Sequence, residues 1–361
     1  MKNIFIISHI IVILLVSSCQ EEKKYTQQTQ VINIPQETSD ASVFLNEFEL
    51  ESIVPLETTP ESAFRMIRRM IVREDYILIS DVHHVYQFDR TGKFLGRIGR
   101  PGNGPGEYNH ILDVCIDEKQ KMIVINTDGS KLLYYSETGQ FIRQEQMKER
   151  ASFLGLIIVD SIQYFYNTFY SNYDNVIYKK QGKTMTSCGD LKVDKDKFIQ
   201  YGQLFVKGKS ILFTKNHTSI IYELKDGMVY ERLHLNIDNF SNDTYTTKDS
   251  EELFKKQITT SFSSIRETND GIFLRTNLGV FIWIKPNGDA YKFHSFSIPG
   301  ITDCSSYVAH SGDDDLIAFK ADAEFILQRK KNAKNEKIES ILQTITEDSN
   351  PILLFFRRKK G

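Results

Sequence analysis

A recurring phrase of strand-forming residues constrains the fold of this chain more than any other feature. Residues 76–95 contain a β-branched and aromatic run, a polar break, a second run, a glycine and a third run, and residues 122–142 repeat that order. When the two phrases are aligned, Gly92 corresponds to Gly139, 47 positions later. Because glycine adopts a positive φ at little cost, each phrase predicts three strands joined by two turns.

Weaker copies of the phrase follow, each marked by its turn glycine. The five glycines are Gly92, Gly139, Gly182, Gly227 and Gly288, with spacings of 47, 43, 45 and 61 residues. One four-stranded propeller blade occupies roughly 40–50 residues, and a sixth, atypical unit begins near Ile301. We therefore predict an all-β fold, a six-bladed β-propeller with four-stranded antiparallel blades, over residues 43–358.

Two interruptions of the strand pattern predict helices. Residues 249–258, in the longest spacing, have early acids and a capping residue, and residues 323–347 have helical spacing within the last blade. A strand over residues 48–56 lies outside the repeat frame, and we expect it to join residues 352–356 in one blade, because a closed ring needs its ends to meet. The alternative, a pair of β-sandwiches, does not impose this regular spacing.

The first residues have the pattern of an export signal. Lys2 precedes an apolar run over residues 4–16, which is shorter than the roughly 20 residues that a transmembrane helix needs. The four residues ending in Cys19 resemble the lipobox of bacterial lipoproteins. That resemblance implies cleavage of residues 1–18 and attachment to a membrane through lipid on Cys19; the alternative is an ordinary signal peptide with a chance cysteine.

The segment after Cys19 predicts a tether and a location. Residues 19–42 are mostly polar and bury too little apolar surface to offset the entropy of ordering, so we expect a flexible tether. Glu21 and Glu22 resemble the signal that sends some Gram-negative lipoproteins to the outer surface. The expected location is the cell envelope, on the outer membrane, with surface exposure as a further possibility.

Charge and cysteine content exclude several classes of function. The formal net charge of −2 lacks the concentrated basic face that nucleic-acid binding uses. Cys115, Cys188 and Cys304 are widely spaced and make neither a metal box nor a disulfide framework. The sequence contains no nucleophile elbow, zinc helix or paired-carboxylate motif, so no residue is predicted to be catalytic.

A glycine-rich segment carries a family resemblance. Residues 92–108 and 113–117 look like the NHL repeat, whose glycine-rich segment joins successive blades. Residues 54–58, 219–227 and 350–355 resemble segments of six-bladed β-propeller lipoproteins of uncharacterised function. The resemblance covers residues 43–358 and implies the fold; the third blade departs from it by lacking the glycine-rich join. A phosphate loop is the alternative, but no helix start or Lys-Ser pair follows the glycines.

The polar residues around the first blade are the candidate binding groups of the loop face. They are Asp81, His83, His84, Arg97, Arg100, Glu107 and Tyr108. Histidine and carboxylate side chains can bind a metal, but solvated loop histidines are the simpler interpretation. Residues 313–315, three consecutive aspartates, similarly indicate either a calcium site or a polar turn, and we prefer the turn. The basic residues 357–360 fit either a solvated strand end or a contact with lipid headgroups.

These features favour a binding or scaffolding module over an enzyme. The expected partner is a peptide, a glycan or an envelope protein, and no cofactor is predicted. The alternative is a calcium-dependent hydrolase or lactonase with its site in the central channel, because six-bladed hydrolases hold calcium there with single residues from different blades. Such a site would show at least three converging oxygen-bearing side chains.

Overall fold

Six small antiparallel sheets form a ring in the computed structural model of the chain. The structure describes residues 29–128, 131–147, 153–167, 173–194, 204–207, 209–243, 250–294, 296–298, 301–308, 311–313, 315–328, 339–341 and 343–360. The six-bladed propeller predicted from the glycine spacing is confirmed.

The N-terminal part and the first two blades contain the following elements. They are β1 (Gln30–Asn33), α1 (Ser42–Leu45) and β2 (Phe48–Pro55); then β3 (Arg69–Val72), β4 (Tyr76–Ser80), β5 (Val85–Asp89) and β6 (Phe94–Arg97) in blade 1; β7 (Arg100–Pro101) and β8 (Glu107–Tyr108) in the linker; and β9 (Ile111–Asp117), β10 (Met122–Thr127), β11 (Lys131–Ser136) and β12 (Phe141–Gln146) in blade 2.

The remaining blades follow in chain order. Blade 3 has β13 (Gly155–Val159), β14 (Ile162–Tyr166), β15 (Ile177–Gln181) and β16 (Thr184–Ser187), and blade 4 has β17 (Leu204–Lys207), β18 (Ser210–Thr214), β19 (Ile220–Lys225) and β20 (Met228–Asn236). The helix α2 (Ser250–Lys255) precedes blade 5, which has β21 (Phe262–Thr268), β22 (Gly271–Thr276), β23 (Phe281–Ile284) and β24 (Ala290–Phe293). Blade 6 has β25 (Phe296–Ile298), β26 (Ile301–Val308), β28 (Leu316–Ala321) and β29 (Ile352–Arg358), and β27 (Ser311–Gly312) and α3 (Ala323–Gln328) lie between these strands in the chain.

The outer hairpin of each of the first five blades turns at one of the five repeat glycines. All five have positive φ, from +61° at Gly182 to +93° at Gly288. Gly92 also lies against blade 6, where an added Cβ would be 2.1 Å from the carbonyl oxygen of Pro55. The sequence phrase thus marks the same hairpin in successive blades.

The ring closes by pairing an early strand with a late one. β2 is the outer strand of blade 6 and pairs antiparallel with β29, from Phe48 opposite Arg358 to Pro55 opposite Ile352. This pairing confirms the expected assignment of residues 48–56 and 352–356 to one blade. Phe44 of α1 stacks on Phe48 with ring centroids 4.4 Å apart, so α1 packs against the strand that closes the ring.

One apolar cluster fills each of the six spaces between neighbouring blades. Successive side chains of a strand point to opposite faces of its sheet, so one strand supplies two clusters. In β29, Leu354 and Phe356 face blade 5, whereas Leu353 and Phe355 face blade 1. The core is therefore a ring of six interfaces.

The N-terminal segment packs on the propeller earlier than the sequence predicted. β1 pairs parallel with β20, the outer strand of blade 4, and Ile32 and Ile34 are buried there. The expected tether ended at residue 42, but the chain is already docked at residue 30, because this short apolar run within a polar segment fills the space between blades 4 and 5. Residues 1–28, with the predicted signal peptide and Cys19, lie outside the described residues.

The predicted helices are present where the structure describes them. α2 lies within residues 249–258, and α3 and the helical residues 339–341 lie within residues 323–347. Residues 249, 329–338 and 342 of these segments lie outside the described part. Among the described helices, none has the length and apolar character needed to span a membrane.

The two ends of the ring differ in their connections. Because strands alternate in direction, one end carries the turns between the first and second and between the third and fourth strands of each blade; we call it the hairpin face. The other end carries the turns between the second and third strands and the linkers between blades; we call it the loop face.

Candidate functional site

Asp81 organises the turn between β4 and β5 on the loop face. Its Oδ1 accepts hydrogen bonds from the backbone N–H groups of His83, at 2.6 Å, and His84, at 2.7 Å. Its Oδ2 accepts a hydrogen bond from the hydroxyl of Tyr86 at 3.1 Å. An aspartate that bonds to the backbone two and three positions later forms an Asx-type turn, so this carboxylate fixes the two histidines.

Three histidines from two blades lie together on this turn; we call His83, His84 and His110 the histidine cluster. The ring centroid of His83 is 5.2 Å from that of His110 and 6.4 Å from that of His84. His110 lies at the entry to blade 2, and its Nδ1 is 3.0 Å from Oδ2 of Asp128. The backbone N–H of Asp128 donates to the carbonyl of His110 at 3.2 Å, which joins two loops of blade 2 beneath the cluster.

The environment of His84 keeps its imidazole neutral. Burial and the positive charge of Arg97 lower the pKa of His84 below its ordinary value. The hydroxyl of Tyr86 lies 3.3 Å from Nδ1 of His84, and burial together with Asp81 raises the pKa of Tyr86. A neutral imidazole has one donor and one acceptor nitrogen, whereas the phenol of Tyr86 is buried beneath it.

Arg97 is held over the same turn. Its guanidinium lies 5.6 Å from the ring centroid of Tyr86, and its Nε donates to the carbonyl of Glu61 at 2.7 Å. Arg97 is therefore a fixed positive charge at the edge of the histidine cluster rather than a mobile side chain.

Arg100 and Glu107 pair with each other within the glycine-rich linker. Arg100 Nε donates to Glu107 Oε1 at 2.7 Å, and the backbone N–H of Gly104 donates to Oε2 at 2.8 Å. These two hydrogen bonds lower the pKa of Glu107. Glu107 thus holds the linker together, whereas Arg100, with 79% of its side chain exposed, is open to a partner.

Tyr108 belongs to the core and not to the exposed loop face. It is fully buried, its hydroxyl donates to the carbonyl of Ile98 at 2.7 Å, and burial raises its pKa. Gly99 packs beside it, and an added Cβ there would lie 2.5 Å from the hydroxyl of Tyr135. This close packing explains the glycine-rich composition, and the segment joins blades 1 and 2 as expected.

The described carboxylates of the inner strands that border the central channel are engaged, whereas the side chain of Asp303 in β26 is not among those described. Asp113 of β9 pairs with Arg69 of β3, and Glu267 of β21 pairs with Arg232 of β20 at 2.6 Å. Asp117 accepts from the backbone of Lys119 at 3.1 Å. Within the described part of the chain, no three histidine, cysteine or acidic side chains converge as a metal site.

The acidic turn at residues 313–315 and the basic end of β29 form ion pairs, and the described cysteines are free. Asp313 and Asp315 both lie 3.4 Å from the guanidinium of Arg357, and Asp314 lies outside the described residues. Arg358 pairs with Glu47 at 2.5 Å. Cys115 and Cys188 are buried and free, whereas the side chain of Cys304 is not among those described.

Two grooves flank the outer half of blades 4 and 5. The groove on the hairpin side has a volume of about 410 Å³ and is lined by Gln30, Arg232 and Lys285 among others. The groove on the loop side has a volume of about 590 Å³ and is lined by Gln36, Lys292 and His294 among others. Burial lowers the pKa of Lys292, and burial and Lys292 lower the pKa of His294.

The comparison with protein families covers almost the whole described chain. The model of a domain of unknown function, DUF4934, matches residues 29–357. The chain belongs to the DUF4934 family. The match begins at the first described residue and ends within β29, so the family domain includes the docked β1.

Solved structures of other proteins share the fold of this DUF4934 chain. One is a Bacteroides fragilis protein whose provisional description is that of an exported protein, with a TM-score of 0.69, 17% identity, and coverage of 92% of this chain and 100% of that one. Another is a member of the DUF4221 family from Bacteroides vulgatus, with a TM-score of 0.51, 10% identity, and coverage of 88% and 99%. No curated protein matches the chain. At these identities the likeness shows the fold alone.

Two residues of the candidate site were not predicted from the sequence. His110 and Asp128 were not proposed as site residues, although Asp128 occupies the repeat position of Asp81. That repeat equivalence is the signal that could have found Asp128, because equivalent turns of neighbouring blades lie side by side. The loop-side groove had no such signal, since its walls come from the N-terminal segment, the two linkers that flank blade 5 and the turn between β22 and β23.

Proposed function

We propose that this chain is a lipid-anchored envelope propeller that binds a peptide, a glycan or an envelope protein at the histidine cluster. The observation that carries the proposal is the approach of His83 and His110, from two blades, to 5.2 Å at the loop face. His83 stands on the turn that Asp81 fixes, and the imidazole of His110 is held by the carboxylate of Asp128; loops positioned by a rigid scaffold are the usual place of binding residues.

The chemistry of the cluster suits a partner rich in hydrogen-bonding groups. His84 is neutral near pH 7, and Arg97 adds a fixed positive charge beside it. Imidazole nitrogens both donate and accept, which fits peptide carbonyls, carboxylates or sugar hydroxyls. Because the groups are already held in place, little conformational entropy is lost when a partner binds.

The proposed location rests on the leader sequence. The pattern that ends at Cys19 supports export and lipidation, and Glu21 and Glu22 support the outer membrane. The description of the Bacteroides fragilis protein as exported agrees with a location in the envelope. The engaged inner-strand carboxylates, Asp113 and Glu267, favour binding over calcium-dependent hydrolysis in the channel.

The test is capture of a partner from solubilised envelope with the mature chain. We expect wild type to retain a specific partner and the His83→Ala/His110→Ala variant to bind it at least about tenfold more weakly, a loss of ~1.4 kcal/mol. The matched control is Lys121→Ala/Lys183→Ala on the hairpin face, which should bind as wild type does. Equal retention by all three chains, or stoichiometric calcium with no retained partner, would contradict the proposal.

A further inference from the structure

We propose that the hairpin face of the propeller lies against the lipid bilayer, so that the loop face points away from the membrane. The direction of β1 carries this inference. β1 runs parallel to β20, which starts at the hairpin of Gly227 and ends at the loop face. The chain before β1 therefore comes from the hairpin side.

The residue before β1 continues in that direction. Thr29 Oγ1 donates to the carbonyl of Glu231 at 3.1 Å, whereas Gln30 lies opposite Leu233. Thr29 is thus nearer to the hairpin than any residue of β1. The side chain of Gln30 also lies beside the hairpin glycine of blade 5, since an added Cβ on Gly288 would be 3.0 Å from its Nε2.

The length of the connecting segment favours this orientation, on the basis of the proposed lipid on Cys19. Nine residues, 20–28, separate Cys19 from Thr29, and at about 3.3–3.6 Å per residue they span about 30 Å when fully extended. From Glu231 to the loop-face end of β20, at Asn236, is roughly 17 Å at about 3.3 Å per residue. Turning the loop face to the bilayer would consume more than half of the segment, whereas reaching the hairpin end of β20, at Met228, takes roughly 10 Å at about 3.3 Å per residue, about a third of it.

The distribution of exposed apolar side chains agrees with this orientation. Among the described residues, six large apolar side chains are exposed, and only Met66 lies on a loop-face linker. The other five are Val31, Leu95, Phe141, Ile142 and Met228, which stand at the first or second position of β1, β6, β12 or β20. The positions in β6, β12 and β20 lie near the hairpins, where apolar side chains can enter the boundary between headgroups and acyl chains, whereas Val31 lies opposite His234 in the second half of β20.

The charge of the outer hairpins also fits an anionic lipid surface. Lys93, Lys183 and Lys225 lie at these hairpins, and Lys359 and Lys360 follow β29 on the same face; all five are exposed, and none forms an ion pair within the described residues. The exposed acids on this side are Asp226 and Asp289 at the outer hairpins and Glu49 near the start of β2. The inner turns carry four exposed acids, Glu74, Asp75, Glu118 and Asp160, against three exposed lysines, Lys119, Lys121 and Lys209. Basic side chains near a membrane are attracted to anionic lipids.

Acetylation of lysines tests the orientation without a change in the propeller. The mature lipidated chain in vesicles that contain anionic lipid is compared with the Cys19→Ser chain free in solution. We expect Lys93, Lys183 and Lys225 to react at least threefold more slowly in the vesicle sample. Lys192 and Lys256, on the linkers of the loop face, serve as internal controls and should react at equal rates in both samples.

Slower acetylation of Lys192 and Lys256, or equal rates at all five sites, would overturn the orientation. The mass of the N-terminal peptide reports the lipid on Cys19 in the same sample, so failure of the proposed anchor is seen separately. If that lipid is absent, Cys19 of a Cys304→Ser chain is coupled to a maleimide lipid, and the same five rates then decide the orientation alone.

Discussion

The guanidinium of Arg69 and the carboxylate of Asp113 join the inner strands of blades 1 and 2 through two parallel hydrogen bonds, of 2.8 Å from Nε and 2.5 Å from Nη2. Oδ2 of Asp113 also accepts from the backbone N–H of Leu156 in blade 3, at 2.7 Å. One buried carboxylate therefore ties three consecutive blades at the channel wall.

Substitution of Asp113 tests this connection. Asp113→Asn leaves the buried Arg69 charge without its partner, and we expect a loss of about 3–5 kcal/mol in the free energy of unfolding, measured by urea denaturation. Arg69→Met/Asp113→Asn should recover part of that loss because no buried charge remains. Asp128→Asn, whose carboxylate is half exposed, should cost at most about 1 kcal/mol; an equal cost at both positions would refute the role of Asp113.

The closure of the ring is tested at Phe48. Its ring is buried between Phe44 and Trp283, and Phe48→Ala should lower the free energy of unfolding by about 3–5 kcal/mol. Leu95→Ala, also on an outer strand but 54% exposed, is the matched control and should change stability by less than about 0.5 kcal/mol. A small effect at Phe48 would mean that the pairing of β2 with β29 does not depend on this core.

Two hairpin glycines separate the effect of backbone conformation from that of close contact. Gly182 has φ +61° and open space around it, so Gly182→Ala should cost about 1–2 kcal/mol for the left-handed conformation alone. Gly92 has positive φ and also faces the carbonyl of Pro55, so Gly92→Ala should cost about 1–3 kcal/mol more. Thermal unfolding of the two variants measures the difference; equal melting temperatures would disprove the contact.

The histidine cluster gives a pH dependence with a defined sign. The pKa of His84 is below its ordinary value of about 6.5 in the folded state, so the unfolded chain takes up the proton first as pH falls. The contribution of His84 to the free energy of unfolding has its full value above about pH 6.5 and decreases as the pH falls toward the pKa of the folded state. NMR titration of the imidazole should show the low pKa, and Arg97→Met should raise it. Arg143→Met, on blade 2, should leave it unchanged; a pKa that does not move with Arg97 would contradict the assignment.

Local repetition made the fold predictable from sequence. The turn at each repeat glycine depends on a few neighbouring residues, so Gly92 and Gly288 were informative without any knowledge of their distant contacts. The assignment of residues 48–56 to the last blade followed from the need for closure, which is a property of the ring and not of the strand.

The site was less predictable because it depends on contacts between blades. His83 was found, but its neighbour His110 comes from the linker to the next blade, and the sequence does not show which side chains of two adjacent blades meet. Tyr108 was expected on the loop face because loops at the mouth of the ring are free to bind, but its segment packs tightly and buries it. β1 was missed since only residues 31–34 interrupt a polar stretch, too short a run to indicate a strand.

The pairing of β2 with β29 sets an order of assembly for the nascent chain. The backbone N–H of Asn350 donates to Thr58 Oγ1, 292 positions earlier in the chain, and Phe48 of β2 lies opposite Arg358 of β29. Blades 1 to 5 are built from local hairpins and can form while synthesis continues, but β2 has no neighbouring strand in blade 6 until β29 has been made. The last step is therefore the slow formation of contacts between distant parts of the chain, and until then β2 stays an open strand edge that other chains can pair with.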